Sequence, residues 1–409
     1  MNVKRLGEEL LQEHLSESPA VWIRGARQVG KSTLATMVAG EGRTYITFDD
    51  PAALALATED PSGFVLDLEG DVILDEVQRV PHLFRAIKLA IDQDRRPGRF
   101  VLTGSANVFA LPMASESLAG RLQIFSLEPF AQAELRGTKG DFIQSVFSED
   151  FAPTIYASEQ LSRQVLWSMI AKGGYPEALV RKSDESRYRM FSGYVNTLLE
   201  RDVRDISDIK RLNELPGLLE VLAARSSSLL NLTDLSRTLN IPRATLDRYL
   251  KLLEALFIYR PLRSYSGNVV ASLTHAPKVQ LLDTGLAAYS LGLNSSEVPD
   301  ARTYGALLES FVGNELRRLL TWHPRIVRMS HFRTKHGKEV DFVLSDQSGK
   351  LVGIEVKASR SINPKDFSGL EKLKELSGDK FKRGIILYSG TDVFKRGDHY
   401  AVPISALWG

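Results

Sequence analysis

Gly25-Ala26-Arg27-Gln28-Val29-Gly30-Lys31-Ser32 is the stretch that decides the fold. It fills the pattern G-x-x-x-x-G-K-[ST] at every required position, with an apolar run, Val21–Ile23, before it and a helical pattern, Lys31–Val38, after it. Glycines let successive backbone N–H groups wrap a phosphate, and the helix N-terminus adds partial positive charge. Lys31 is expected to reach the β- and γ-phosphates of ATP and Ser32 to ligand Mg²⁺. The expected nucleotide-binding set is Gly25, Ala26, Arg27, Gln28, Val29, Gly30, Lys31, Ser32 and the following Thr33.

Outward from this loop, Tyr45–Phe48, Val72–Leu74, Phe100–Leu102 and Gln123–Leu127 read as buried strands with helical patterns between several of them. Such alternation predicts an α/β unit with a parallel sheet covered on both faces. The third run ends in Asp75-Glu76. An aspartate there can hold Mg²⁺, usually through water, and the adjacent glutamate can polarise the attacking water. Leu102-Thr103-Gly104-Ser105-Ala106-Asn107 follows the next run, where Ser105 or Asn107 either senses the γ-phosphate or forms an ordinary polar turn. Gly120-Arg121 precedes the last run; Arg121 is either an arginine finger, in cis or for a neighbouring subunit, or a solvated arginine.

The chain has 409 residues, which suggests roughly two to four domains. Its formal net charge is only +2, so any basic surface is local. Absence of cysteine excludes disulfides, thiolate zinc sites and thiol catalysis. No signal peptide or membrane-length apolar run is present, so a cytoplasmic protein without a membrane partner is expected. The pattern divides into an ATPase core (1–150), a helical lid (151–222), a helix-turn-helix unit with connector (223–300) and a second α/β domain (301–409).

The phosphate loop, Leu74–Gln78, Thr103–Ser105 and Gly120-Arg121 follow one another in an order that resembles a prokaryotic family of AAA-type ATPases with a C-terminal domain of unknown function. Gly173-Gly174-Tyr175-Pro176, Glu200-Arg201-Asp202 and Lys278–Leu286 match further signatures of that family. In related signal-transducing ATPases the Gly-x-Pro turn touches the adenine from the lid, which implies that role for Pro176. Asp283 and Gly285 read as turn and capping residues.

In the third segment Leu232, Leu235, Leu239 and Ile241 mark one apolar face, Pro242 opens a second helix, and Leu246, Tyr249, Leu250 and Leu253 form its stripe. With Ile258–Leu262 as the start of a wing, this resembles a winged helix. Arg243, Thr245, Arg248 and Lys251 then face outward, suited to DNA phosphates or base edges, although Asp247 and Glu254 dilute the charge and such modules also serve in protein packing.

In the last segment Glu339-Val340-Asp341-Phe342-Val343 precedes Gly353-Ile354-Glu355-Val356-Lys357. Period-two alternation places Glu355 and Lys357 on one face, with Asp341 on a neighbouring strand. This resembles the PD-(D/E)XK nuclease core, to which Glu309 on the preceding helix would add a carboxylate. The resemblance implies a Mg²⁺ or Mn²⁺ site at Asp341, Glu355 and Glu309, with Lys357 as a further catalytic residue. Arg333, Lys335, His336 and Lys338 would guide a phosphate backbone or form a charged hairpin. Two readings stand: an ATPase with a DNA-directed nuclease domain, or a nucleotide-dependent switch that binds DNA or a protein. A trans role for Arg121 would require a homo-oligomer.

Overall fold

The computed structural model describes residues 3–40, 42–105, 118, 120–153, 161–199, 212–265 and 275–409. The signature Glu200–Asp202 and Asn107 lie outside these residues. The first sheet contains β1 (Ala20–Arg24), β2 (Thr44–Thr47), β3 (Val72–Asp75), β4 (Phe100–Gly104) and β5 (Leu122–Ser126). All pairs are parallel and the spatial order is β2-β3-β4-β1-β5. The expected runs form these strands, to within a few residues, but β2 and β5 are not the buried strands expected: they are the sheet's edges, and most of their side chains stay partly or fully exposed. Alternation sends Val21 and Ile23 into the core on one face, and Ala20 and Trp22 into a separate core on the other. Helix α1 (Glu8–Glu17) and helix α2 (Lys31–Ala39) pack on the first face. Helix α3 (Leu83–Gln93) covers the second with Leu83, Phe84, Ile87 and Ile91, an i, i+4, i+8 stripe.

Helices α4 (Arg163–Lys172), α5 (Asp184–Thr197) and α6 (Leu215–Ala224) follow, then the pair α7 (Leu232–Leu239) and α8 (Arg243–Ala255). Leu235, Leu246, Tyr249, Leu250 and Leu253 are buried, as the apolar stripes predict. Pro242 is the N-cap of α8, one position earlier than the sequence suggests. After α8, Tyr259 and Leu262 bridge antiparallel to Leu281 and Lys278. Helix α9 (Thr284–Ser290) leads to the long helix α10 (Ala301–Leu320).

The second sheet contains β6 (Arg328–Arg333), β7 (Glu339–Ser345), β8 (Leu351–Lys357), β9 (Phe381–Tyr388), β10 (Phe394–Arg396) and β11 (His399–Pro403), ordered β10-β11-β9-β8-β7-β6. It is mixed: β9 runs parallel to β8 and β11, and the other pairs are antiparallel. Helix α11 (Ser368–Ser377) crosses between β8 and β9 and buries Leu370 and Leu373 against Val340 and Ile386. Among the described residues no helix is long and apolar enough to cross a membrane.

Candidate nucleotide site and the C-terminal acidic cluster

The phosphate loop joins the C-terminal end of β1 to α2, which Gly30 caps in the left-handed region. Gly25 has φ +157°, and a Cβ there would lie 2.1 Å from the Leu127 carbonyl oxygen, so no side chain fits. From behind, the buried Arg5 donates to Val29 O at 2.5 Å, to Glu128 O at 3.2 Å and to Glu134 Oε2 at 3.1 Å. Lys31 Nζ lies against the Ala26 carbonyl at 2.9 Å, within the loop it is expected to serve.

Asp75 ends β3 beside the loop. Its Oδ1 accepts from Ser32 Oγ at 2.8 Å and from Thr103 Oγ1, and its Oδ2 accepts from Tyr45 O–H at 2.7 Å. Burial, followed by the hydrogen bond to Asp75, pushes the Tyr45 phenol well up, so it stays a donor. Ser32 and Asp75 thus converge as the oxygen donors that a hard cation takes. Glu76 adopts φ 57°, a left-handed conformation unusual for a non-glycine residue, and its N–H meets Thr103 Oγ1 at 3.3 Å. Strained backbone of this kind gathers at functional sites. Ser105 Oγ lies 3.2 Å from Glu76 Oε2 and 3.1 Å from Gln78 Nε2, which itself donates to Glu76. Ser105 and Glu76 are therefore brought together, with Gln78, Thr103 and Tyr45 as residues that the sequence reading did not single out.

Arg121 requires a correction. It precedes β5, whose Leu122 pairs with Ala20 at the start of β1. At about 3.3 Å per residue, the length of β1 puts it roughly 15 Å from the phosphate loop, at the opposite end of the sheet. There it pairs with Asp92 at 2.6 Å. A finger acting in cis is excluded by this placement.

Pro176 starts a short helix, Pro176–Val180, after the Gly173-Gly174 turn. Phe130 N donates to Gly174 O at 2.8 Å, and Gly174 N to Asp283 Oδ2 at 2.7 Å. The turn is thus tied beyond the end of β5, on the side of the phosphate loop. A Cβ on Gly174 would stand 2.4 Å from the Phe130 carbonyl oxygen. Asp283 caps α9, as the sequence suggests, through Gly285 N and Leu286 N. It also pairs at 2.8 Å with Arg318, which reaches Glu315 Oε1 at 2.6 Å and Phe130 O at 3.0 Å. Glu315 in turn accepts from Gln132 N at 2.8 Å. This buried network joins the first domain, the lid turn, α9 and α10.

In the second sheet, the register of β7 and β8 puts Asp341 opposite Glu355, and α10 brings Glu309 to the same place. Lys357 Nζ stands 3.9 Å from Glu355 Oε2. The expected constellation is assembled, but its centre holds a residue passed over in the sequence. Lys278 Nζ pairs with Glu309 Oε1 at 2.7 Å and Asp341 Oδ1 at 2.9 Å, while Val356 N donates to Asp341 Oδ2 at 3.0 Å. Lys278 thus stands between two of the expected metal ligands, and among the described residues no group of three His, Cys, Asp or Glu is arranged to hold a metal. Burial, then the Asp341 charge, pushes Glu309 up to about 8 even with Lys278 beside it. Burial and Asp341 likewise push Glu355 well above the usual carboxylate range. Burial acts on Asp341 too, but Lys278 and the surrounding hydrogen bonds hold it below its ordinary value. Of the basic group ahead of the cluster, Arg333 pairs with Glu339 across the β6–β7 hairpin.

Residues 17–136 match the family model of an AAA domain. Residues 163–297 and 304–407 match two further models, each a domain of unknown function, DUF8612 and DUF4143. The N-terminal unit is thus of the AAA type. An uncharacterized protein of Mycobacterium tuberculosis is 28% identical over 402 residues, covering 97% of this chain and 82% of that protein. One from Methanocaldococcus jannaschii is 22% identical over 357 residues, covering 84% and 76%. A Walker-type ATPase structure from Pyrococcus abyssi aligns at 15% identity and a TM-score of 0.39, over 69% of this chain and 94% of that one.

Proposed function

We propose that this chain is a Mg²⁺-dependent ATPase acting as a nucleotide-dependent switch, whose output is the α7–α8 unit and the C-terminal domain. The observation that carries this reading is the tie from Gly174 N through Asp283 to Arg318 and Glu315. A lid turn that follows the nucleotide would move α9 and α10 with it. In the ATPase step, Lys31 and the loop N–H groups hold the phosphates and Glu76 orients water, with Ser105 and Gln78 fixing its carboxylate. Ser32 and Asp75 would hold Mg²⁺, which supplies charge neutralisation between the phosphates when bound.

The α7–α8 pair with the bridged segments after it fits a winged helix, and Arg243 and Arg248 are exposed on α8. DNA is therefore the partner to test first, although Lys251 spends its charge on Asp247 at 2.8 Å. The nuclease reading needs a divalent cation where Lys278 sits, which favours the switch.

The test is hydrogen exchange on Glu76→Gln with and without ATP. Altered protection should extend from the phosphate loop into residues 173–180, α9 and α10. Changes confined to the first domain would remove the switch reading. Plasmid cleavage with Mn²⁺, lost in Asp341→Ala, would restore the nuclease.

A further inference from the structure

Lys278 lies in the strand-like segment that bridges Leu262 and Leu229, so it belongs by backbone to the α7–α8 unit. Lys278 N donates to Leu262 O at 2.9 Å and Leu262 N to Lys278 O at 3.0 Å. Its side chain leaves that unit and enters the C-terminal domain, where only 4% of it stays exposed. There it meets Glu309 from α10 and Asp341 from β7. The unit is pinned to β6 nearby through both of its segments: Ala276 O lies 3.2 Å from His331 Nε2, and Tyr265 N, at the end of the preceding segment, donates to His331 O at 2.5 Å. Asp341 is the buried acid that stays ionised, and an unpaired charge in the interior is strongly disfavoured, so it needs a cation beside it. The cation is supplied by the chain itself.

We propose that Lys278 is the resident cation of this acidic socket, standing where the resembled nuclease fold would hold a divalent metal, and that it latches the α7–α8 unit onto the C-terminal domain. The domain is then a docking partner for that unit, and relative motion of the two must withdraw an ammonium from two carboxylates. This assignment is independent of the nucleotide chemistry: it stands or falls without ATP.

The test compares nucleotide-free wild type, Lys278→Arg, Lys278→Met and Lys278→Met/Asp341→Asn by thermal unfolding, with and without millimolar Mn²⁺. Lys278→Met should lose several degrees, and Mn²⁺ should return part of that loss by filling the vacated socket. Wild type should show no Mn²⁺ shift that depends on Asp341, and Lys278→Arg should resemble it. The double variant should regain stability through lost acidity and should not respond to Mn²⁺. If Lys278→Met does not fold, recovery of folded protein in the double variant is the expected result, and its failure overturns the proposal. Equal Mn²⁺ shifts in wild type and Lys278→Met, or a Lys278→Met variant as stable as wild type, also overturn it.

Discussion

Replacing Arg318 by methionine should cost about 3–5 kcal/mol of stability, the range for breaking a buried ion pair. The side chain is 2% exposed and keeps a similar apolar stem after substitution, so packing changes little. What goes is the donor to Asp283, Glu315 and Phe130 O. Asp283 keeps the N–H groups of Gly174, Gly285 and Leu286, and Glu315 keeps that of Gln132. These residual bonds hold the loss within that range rather than above it. The folding constant should fall by roughly two to three and a half powers of ten. In urea the midpoint should drop with little change in slope. Burial already raises the Glu315 pKa in spite of Arg318. Removing the guanidinium raises it further. A carboxyl whose folded pKa exceeds its unfolded value costs stability when ionised, and that cost vanishes below the unfolded pKa. The deficit of Arg318→Met should therefore be smaller at pH about 5 than at about 8. A deficit under about 1 kcal/mol, or one that grows on acidification, would refute the reasoning.

Lys31→Ala should abolish ATP binding in a fluorescent-nucleotide titration, whereas Glu76→Gln should bind ATP and turn it over about 10²–10⁴-fold more slowly. Equal turnover by Glu76→Gln and wild type would remove Glu76 from the mechanism. Gly174→Ala forces a Cβ to 2.4 Å from Phe130 O and should lower stability by about 1–3 kcal/mol in the same urea assay; a neutral effect would mean the turn tolerates the shift. Mixing Arg121→Ala with Lys31→Ala should restore turnover that neither has alone if Arg121 serves a neighbouring subunit; additive, unrestored rates would reduce it to the partner of Asp92.

The first sheet was legible because its three inner strands are short apolar runs and the phosphate loop fixes the sense of the first, whereas the exposure of the edge strands β2 and β5 depends on the spatial order. The Asp75 and Glu76 positions follow from that sense alone. Period two likewise places Asp341 against Glu355 once β7 and β8 pair. The position of Arg121 was also within reach: in a parallel sheet ligands meet the C-terminal strand ends, and Arg121 precedes its strand. Tyr45, Thr103 and Gln78 needed the spatial order β2-β3-β4-β1, which the order along the chain does not supply. Glu315 and Arg318 are spaced i, i+3 on a helix, a pattern usually seen on solvated faces. Only the packing of α10 beneath the first domain reveals them as buried. Lys278 sits in an apolar stretch and meets acids far along the chain, so no local pattern marks it.

The socket around Lys278 also limits how such a sequence can diverge. An ammonium facing a single carboxylate is still a satisfied pair, whereas two buried carboxylates without an ammonium are not. Drift should therefore proceed in one order: Glu309 or Asp341 is exchanged first, and only then does position 278 become free to turn apolar. Lineages with an apolar residue at 278 and both acids intact should be rare, and where they occur, another cation should have taken up the charge.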